Sequence, residues 1–338
     1  MTGRGPAAPA PRTVLGLLGA FVTGTFVVGQ ARVNAELGAR LGNGVLAAVI
    51  SFGLGLVLLG VLVAVLPAGR RGLRRVGTAR RRGSLRTWQL LGGLGGALLI
   101  AGQGLTAHVL GTALFTIAVV AGQSSGGLAV DRAGLGPSGP QPTTPPRVAG
   151  AVLMLGAVVL SVAPSVGSDV PVALALLPLA GGVAAATQQA LNGRVAAAAR
   201  GDERSVVASV LPAALTNFVV GFVALVLAGI VAVLLLGPPG ALPGDWYLYL
   251  GGPFGAIFIG LGAWVVGQVG VLLLALGAVA GQVVGALVLD LVLPSAAGTP
   301  GLATVLGALL TLVAAGIAAA PWPPRARTTE GTRPDLPS

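Results

Sequence analysis

The chain has no cysteine and no lysine, a single histidine, and charge on only 9% of its 338 residues. Each shortage closes off a class of chemistry. Without cysteine there are no disulfides, no thiol nucleophile and no thiolate metal site. One imidazole, His108, is too little for a histidine metal site or a triad, so neither metal nor cofactor is expected. No nucleophile–base pair stands out either, which argues against an enzyme. A soluble domain usually carries about a quarter charged residues. Here 54% of residues are hydrophobic and the mean hydropathy is +0.92. The chain is therefore read as an all-α polytopic membrane protein; its apolar runs lack the alternation of barrel strands.

What charge there is has one dominant sign. The net charge is +11, and all 20 basic residues are arginine. On a soluble protein this would point to nucleic acid. In a membrane chain, arginines gather in loops and fix orientation, so the expected partners are the lipid bilayer and a small-molecule substrate, with no nucleic acid.

One stretch occurs twice. Leu91 to Asp131 and Leu250 to Asp290 align without a gap, and 15 of 41 positions are identical. The informative matches are an LGGxxGA opening and an AGQxxGxLxxD ending, which set Gln123 opposite Gln282 and Asp131 opposite Asp290. A polar residue deep in an apolar run is costly, so its recurrence at one offset marks an internal duplication.

Ten apolar segments follow, each near the roughly 20 residues a helix needs to cross. They lie at about 14–33, 44–66, 88–106, 109–130 and 148–163, then 172–191, 206–236, 246–266, 269–291 and 301–320. Residues 1–12 read as a disordered tail, 13–164 as a first five-helix repeat, 171–320 as a second, and 321–338 as a C-terminal tail. The basic start resembles a signal peptide, but the first segment has a partner in the repeat, so it is taken as a span. Pro212 is expected to kink the seventh. Stretches 70–86 and 194–205 are read as charged loops, the first with eight arginines.

Five spans per half is an odd number, so like-folded halves must be inserted in opposite orientations. With the N-terminus inside, the inner arginines are two in the first tail, eight in 70–86, two in 131–147, three in 194–204 and three in the last tail. Only Arg32 and Arg40 fall outside. The positive-inside rule thus predicts an inverted repeat in a bacterial cytoplasmic membrane, both termini cytoplasmic.

The first and sixth spans end alike. Gln30 and Asn34 match Gln188 and Asn192, each pair at i and i+4 on one helix face. Amides both donate and accept, so the pairs suit a polar solute; they also suit bonds between neighbouring helices. Inversion places Gln30, Asn34 and Gln282 toward the outer mouth, and Gln188, Asn192 and Gln123 toward the inner one. These six are the candidate substrate-binding residues. Gly92, Gly93 and Gly96, with Gly251, Gly252 and Gly255, read as close-packing faces. Arg32 is expected to pair with Glu36 along its helix, Asp131 and Asp290 to serve helix ends, and His108 to be solvated.

These motifs resemble a known family. The duplicated Gln-x3-Asn, the Ser51-Phe52-Gly55 start of the second span with its repeat Asn217-Phe218-Gly221, and the Gln-x-x-Gly of the fourth are similar to YdcZ-type inner-membrane exporters of the drug/metabolite transporter superfamily, related to EamA-type permeases. The usual member resembles one half, so the chain reads as a fused duplicate over 13–320. The resemblance implies a secondary transporter with a cavity lined by the first, third and fourth spans of each half. Small multidrug-resistance relatives carry a coupling glutamate in the middle of the first span; here Thr23 and Thr25 stand at that depth. The expected function is alternating-access movement, as export, of a small polar or amphiphilic metabolite. The alternative is a non-transporting scaffold or lipid-binding protein whose arginines at 70–86 touch anionic headgroups.

Overall fold

The computed structural model describes residues 11–137, 139–140, 142–165, 172–201, 205–294, 298–318 and 320. The expectations for the two tails, for most of the linker at 166–171 and for 202–204 lie outside these residues. Among the described residues the fold is helical throughout.

Helices α1 (Pro11–Leu41) and α2 (Gly44–Val65) are joined by a tight turn. Asn43 caps α2, its side chain accepting from the N–H groups of Val45 and Leu46 at 3.1 Å. Then comes α3 (Pro67–Arg81), with proline at its start, where the missing N–H costs nothing. The third apolar segment is α4 (Gly93–Gly102), a π-helical turn at Gln103–Ala107 and the single turn α5 (His108–Leu110). Gly111, at φ 80°, breaks the chain before α6 (Thr112–Arg132); a side chain would be strained there. Helix α7 covers Pro145–Val162, α8 Leu176–Arg200 and α9 Val206–Leu236. The chain closes with α10 (Gly251–Val292) and α11 (Leu302–Ala318).

Seven segments are long and apolar enough to cross a membrane: Val14–Leu41, Gly44–Val65, Thr87–Leu110, Thr112–Arg132, Pro145–Val162, Ala173–Arg200 and Val206–Leu236. Helix α10 is 42 residues, roughly 63 Å if straight at 1.5 Å per residue. Its two ends nevertheless both lie beside α1. Phe254, Gly255 and Gly251 meet Gly29, Gln30 and Asn34, running antiparallel to α1. Gly281, Gly285 and Asp290 meet Phe21, Thr25 and Arg32, running parallel to it. So α10 folds back as two limbs.

Two loops expected from charge are helices. Residues 67–81 form α3 because arginine and alanine are good helix formers and its small residues fall on one face. Gly69, Gly72 and Val76 are buried against α9 while the arginines point away. Likewise α8 runs on to Arg200 through Ala196–Ala199. Pro212 lies inside α9, which is continuous past it. Lacking an N–H, Pro212 leaves the carbonyl of Ala208 without its helical donor, and the backbone of α3 at Gly72 packs onto that carbonyl.

The packing repeats itself. Gly24 sits against Ala278 and Gln282, and Gly182, 158 residues on from Gly24, sits against Val119 and Gln123, each 159 residues before its counterpart. Gly281 meets Phe21 as Gly122 meets Leu179. Gly252 meets Ser51 and Gly55 as Gly93 meets Asn217 and Gly221. Near the centre Phe52 and Phe218 stack at 4.8 Å between ring centroids, each ring lying on the other motif's glycine, Gly221 or Gly55. Counterpart helices run antiparallel where they touch: Val49, Gly53 and Gly55 of α2 meet Gly229, Phe222 and Phe218 of α9. Gly150 and Ala157 of α7 meet Ala314 and Gly307 of α11 in the same sense.

Candidate functional site

The duplicated amide pairs pack against the duplicated glycine faces of the opposite half. A Cβ at Gly255 would stand 2.9 Å from Gln30 Nε2, and one at Gly96 the same distance from Gln188 Nε2. Gly251 abuts Asn34 Oδ1, and Gly92 abuts Asn192 Oδ1. The glycines thus let two helices close until an amide lies on bare backbone, the close-packing role expected of them.

Hydrogen bonding differs between the two sites. In the second, Asn217 Oδ1 accepts from Gln188 Nε2 at 2.9 Å and from Asn192 Nδ2 at 3.3 Å. In the first, the position matching Asn217 is Ser51, and Asn34 Nδ2 donates instead to Gln103 Oε1 at 2.8 Å. Asn34 Oδ1 and Ser51 Oγ are buried with no hydrogen-bond partner. Both border Gly251, so this face holds unspent accepting and donating capacity.

Gln123 and Gln282 sit at the other crossings. Their backbone nitrogens would lie 2.8 and 2.7 Å from a Cβ at Gly182 and Gly24. Gly24 is six residues from Gln30, roughly 9 Å along the helix. Among the described residues no hydrogen bond joins Gln123 or Gln282 to the amide pairs, so each expected trio is an amide pair plus a glutamine further along.

Burial breaks the symmetry. Gln30 is 4% exposed, Asn34 0% and Gln282 7%, whereas Gln188, Asn192 and Gln123 are only half-buried. The first cluster is shut and the second is partly open.

Sequence reasoning missed Gln103. It is buried on the π-turn, a geometry often found at functional sites. Its counterpart is Gly262, so a search for duplicated polar residues passes over it. The ion pairs also differ from expectation. Glu36 pairs with Arg40 at 2.9 Å, not with Arg32, because Arg40 is held in place by Asp245 and Tyr247. Arg32 instead lies 4.0 Å from Asp290 and donates to the Pro294 carbonyl at 3.3 Å. Asp290 Oδ2 accepts from the Ala113 N–H at 2.7 Å, at the start of α6. Asp131 forms an exposed pair with Arg147 at 3.1 Å. His108 is half-buried rather than solvated. A cavity of about 610 Å³ adjoins Asp290, walled by Leu110, Gly111, Ala113, Ser161 and Leu302 among others. None of the six amides lines it.

No curated protein matches the chain. The family model described as "Putative inner membrane exporter, YdcZ" matches twice, over residues 15–160 and again over 173–317. Those two matches cover the two sets of corresponding contacts, and the chain belongs to the YdcZ family of inner-membrane exporters, with the family unit present in duplicate.

Proposed function

We propose that this exporter-family protein is a ten-span secondary transporter built as two inverted five-helix repeats, 13–164 and 171–320, with both termini cytoplasmic. It moves a small polar or amphiphilic metabolite outward by alternating access. One observation carries the reading: contacts recur at a near-constant offset while counterpart helices α2 and α9, and α7 and α11, run antiparallel. Halves related in that way can exchange conformations, so the state open to one side mirrors the state open to the other. The two limbs of α10 and the short helix α11 bring the seven long segments to ten.

Gln30, Asn34 and Gln282 belong to the outer half of the pathway, and Gln188, Asn192 and Gln123 to the inner half. Their amides supply donors and acceptors for a solute, and the leucine and valine surface around them favours an amphiphile. The buried outer set and half-buried inner set fit an inward-facing state, with Asn34 and Gln103 closing the outer side. Asn34 Oδ1 and Ser51 Oγ are the atoms a solute donor or acceptor would meet first when that side opens. Counterflow in proteoliposomes, run against a library of polar and amphiphilic metabolites, tests this. The expected result is saturable exchange of a subset, lost in Asn34→Ala with Asn192→Ala. No exchange of any compound by well-folded protein would favour a scaffold or lipid-binding role.

A further inference from the structure

We propose that Asp290 is a proton-sensitive latch that holds the outer mouth closed, an inference that rests on the alternating-access reading above. Three observations carry it. Asp290 belongs to the second half, and both its partners belong to the first: the Arg32 guanidinium on α1 and the Ala113 N–H opening α6. Its carboxylate thus ties the halves together. Arg32 extends the tie by donating to Pro294 O.

The repeat lacks the same tie on the inner side. The counterpart of Asp290 is Asp131, which is exposed and pairs with Arg147 inside its own half. The counterpart of Arg32 is Ala190. The latched side is also the side whose amides are buried, and the unlatched side is the one whose amides are half-open. A latch on one mouth alone biases the resting balance toward the inward-facing state; its strength sets how far.

The third observation is the route to it. Asp290 is 3% exposed, yet it lines the 610 Å³ cavity beside Gly111 and Ala113. Its Oδ1 has no hydrogen-bond partner, and neither has Ser161 Oγ on the same wall. Polar atoms left over around a cavity are where water collects, and water brings protons. Arg32 is the charged group facing Asp290 from α1. From α6 it meets only the backbone of the first turn, and α7 and the 298–306 segment present Ser161, Thr299 and Thr304, none of them titratable. His108, beside the cavity residues Val109 and Leu110, is the other titratable group on this wall. The sign is fixed by the partners. Ionised, Asp290 attracts Arg32 and accepts strongly from Ala113. Protonated, it loses the ion pair and weakens the hydrogen bond, so acid releases the latch and alkali sets it.

Val28 reports on the latch: it is buried between Ala113 and Ala286, beside the tie. The chain has no native cysteine, so Val28→Cys is labelled without background. In nanodiscs, its maleimide rate is divided by that of the same protein unfolded, which removes the thiol's own pH dependence. At pH 8, Asp290→Asn is expected to raise the rate at least about tenfold, since a hydrogen bond to a charged group and an ion pair are both lost. Arg32→Gln should raise it less. Lowering the pH should speed labelling in wild type and in His108→Gln, and leave Asp290→Asn unchanged. A second reporter, Gln188→Cys, should slow as Val28→Cys quickens. If Val28→Cys quickens and Gln188→Cys does not change, the latch stands and the alternating reading fails. Equal rates in folded Asp290→Asn and wild type would overturn the latch and leave Asp290 a helix cap. Both reporters quickening together would also overturn it, as general loosening. Wild-type pH dependence that disappears in His108→Gln would assign the effect to the histidine instead.

Discussion

Asn34 shows how much a single side chain can be read from sequence. Its pairing with Asn192 across the duplication, and its place on one face with Gln30, follow from spacing alone. Its partner does not, because Gln103 has no duplicate and lies 69 residues away. The glycines opposite were legible as small faces, but not that they press on the amides themselves. Gly251→Ala would drive a Cβ into Asn34 Oδ1 and to 2.8 Å from Ser51 Oγ. Overpacking of this kind costs about 1–3 kcal/mol. Gly60→Ala, in the same class of helix but with open space around it, should stay within about 0.5 kcal/mol. Thermal melts of the purified protein check both. Adding Asn34→Ala to Gly251→Ala should recover part of the loss, because the two side chains collide with each other.

At the scale of elements, charge misled where pattern would not have. A segment with so many arginines was read as loop, yet Gly69, Gly72 and Val76 recur at helical spacing and Pro67 marks a start. The result is an amphipathic helix whose small face seals onto α9 and whose arginines, Arg74, Arg80 and Arg81 among them, are exposed. Lying directly after a membrane span, this face suits anionic headgroups, at about 1 kcal/mol per arginine near the surface. Replacing Arg74, Arg80 and Arg81 by glutamine should cut the rise in melting temperature that phosphatidylglycerol gives over phosphatidylcholine. An unchanged rise would remove α3 from lipid contact. The long helix α10 is the opposite case. The sequence divides it into two spans, and the opposed directions of its limbs along α1 agree with that division. Gly270 stands opposite the chain-breaking Gly111 in the repeat, which is why the two segments were legible as separate.

For the whole molecule, the duplication was visible because polar residues cannot drift freely in an apolar chain. Gln123 and Gln282, Asp131 and Asp290 kept their places and so marked the period. The departures from symmetry were harder to see, since each involves a residue present in one half only: Gln103, Arg32, and Ser51 where the other half has Asn217. Those departures are where the structure is shut on one side and open on the other, so function concentrates where the repeat fails. The account still depends on the halves lying in opposite senses across the membrane. Reporter fusions after Gly72, Gly167, Gly201 and Gly240 test that directly. Gly72 and Gly201 occupy corresponding halves but should both read cytoplasmic, while Gly167 and Gly240 should both read external. An external reading at Gly201 with a cytoplasmic one at Gly72 would contradict the inverted repeat.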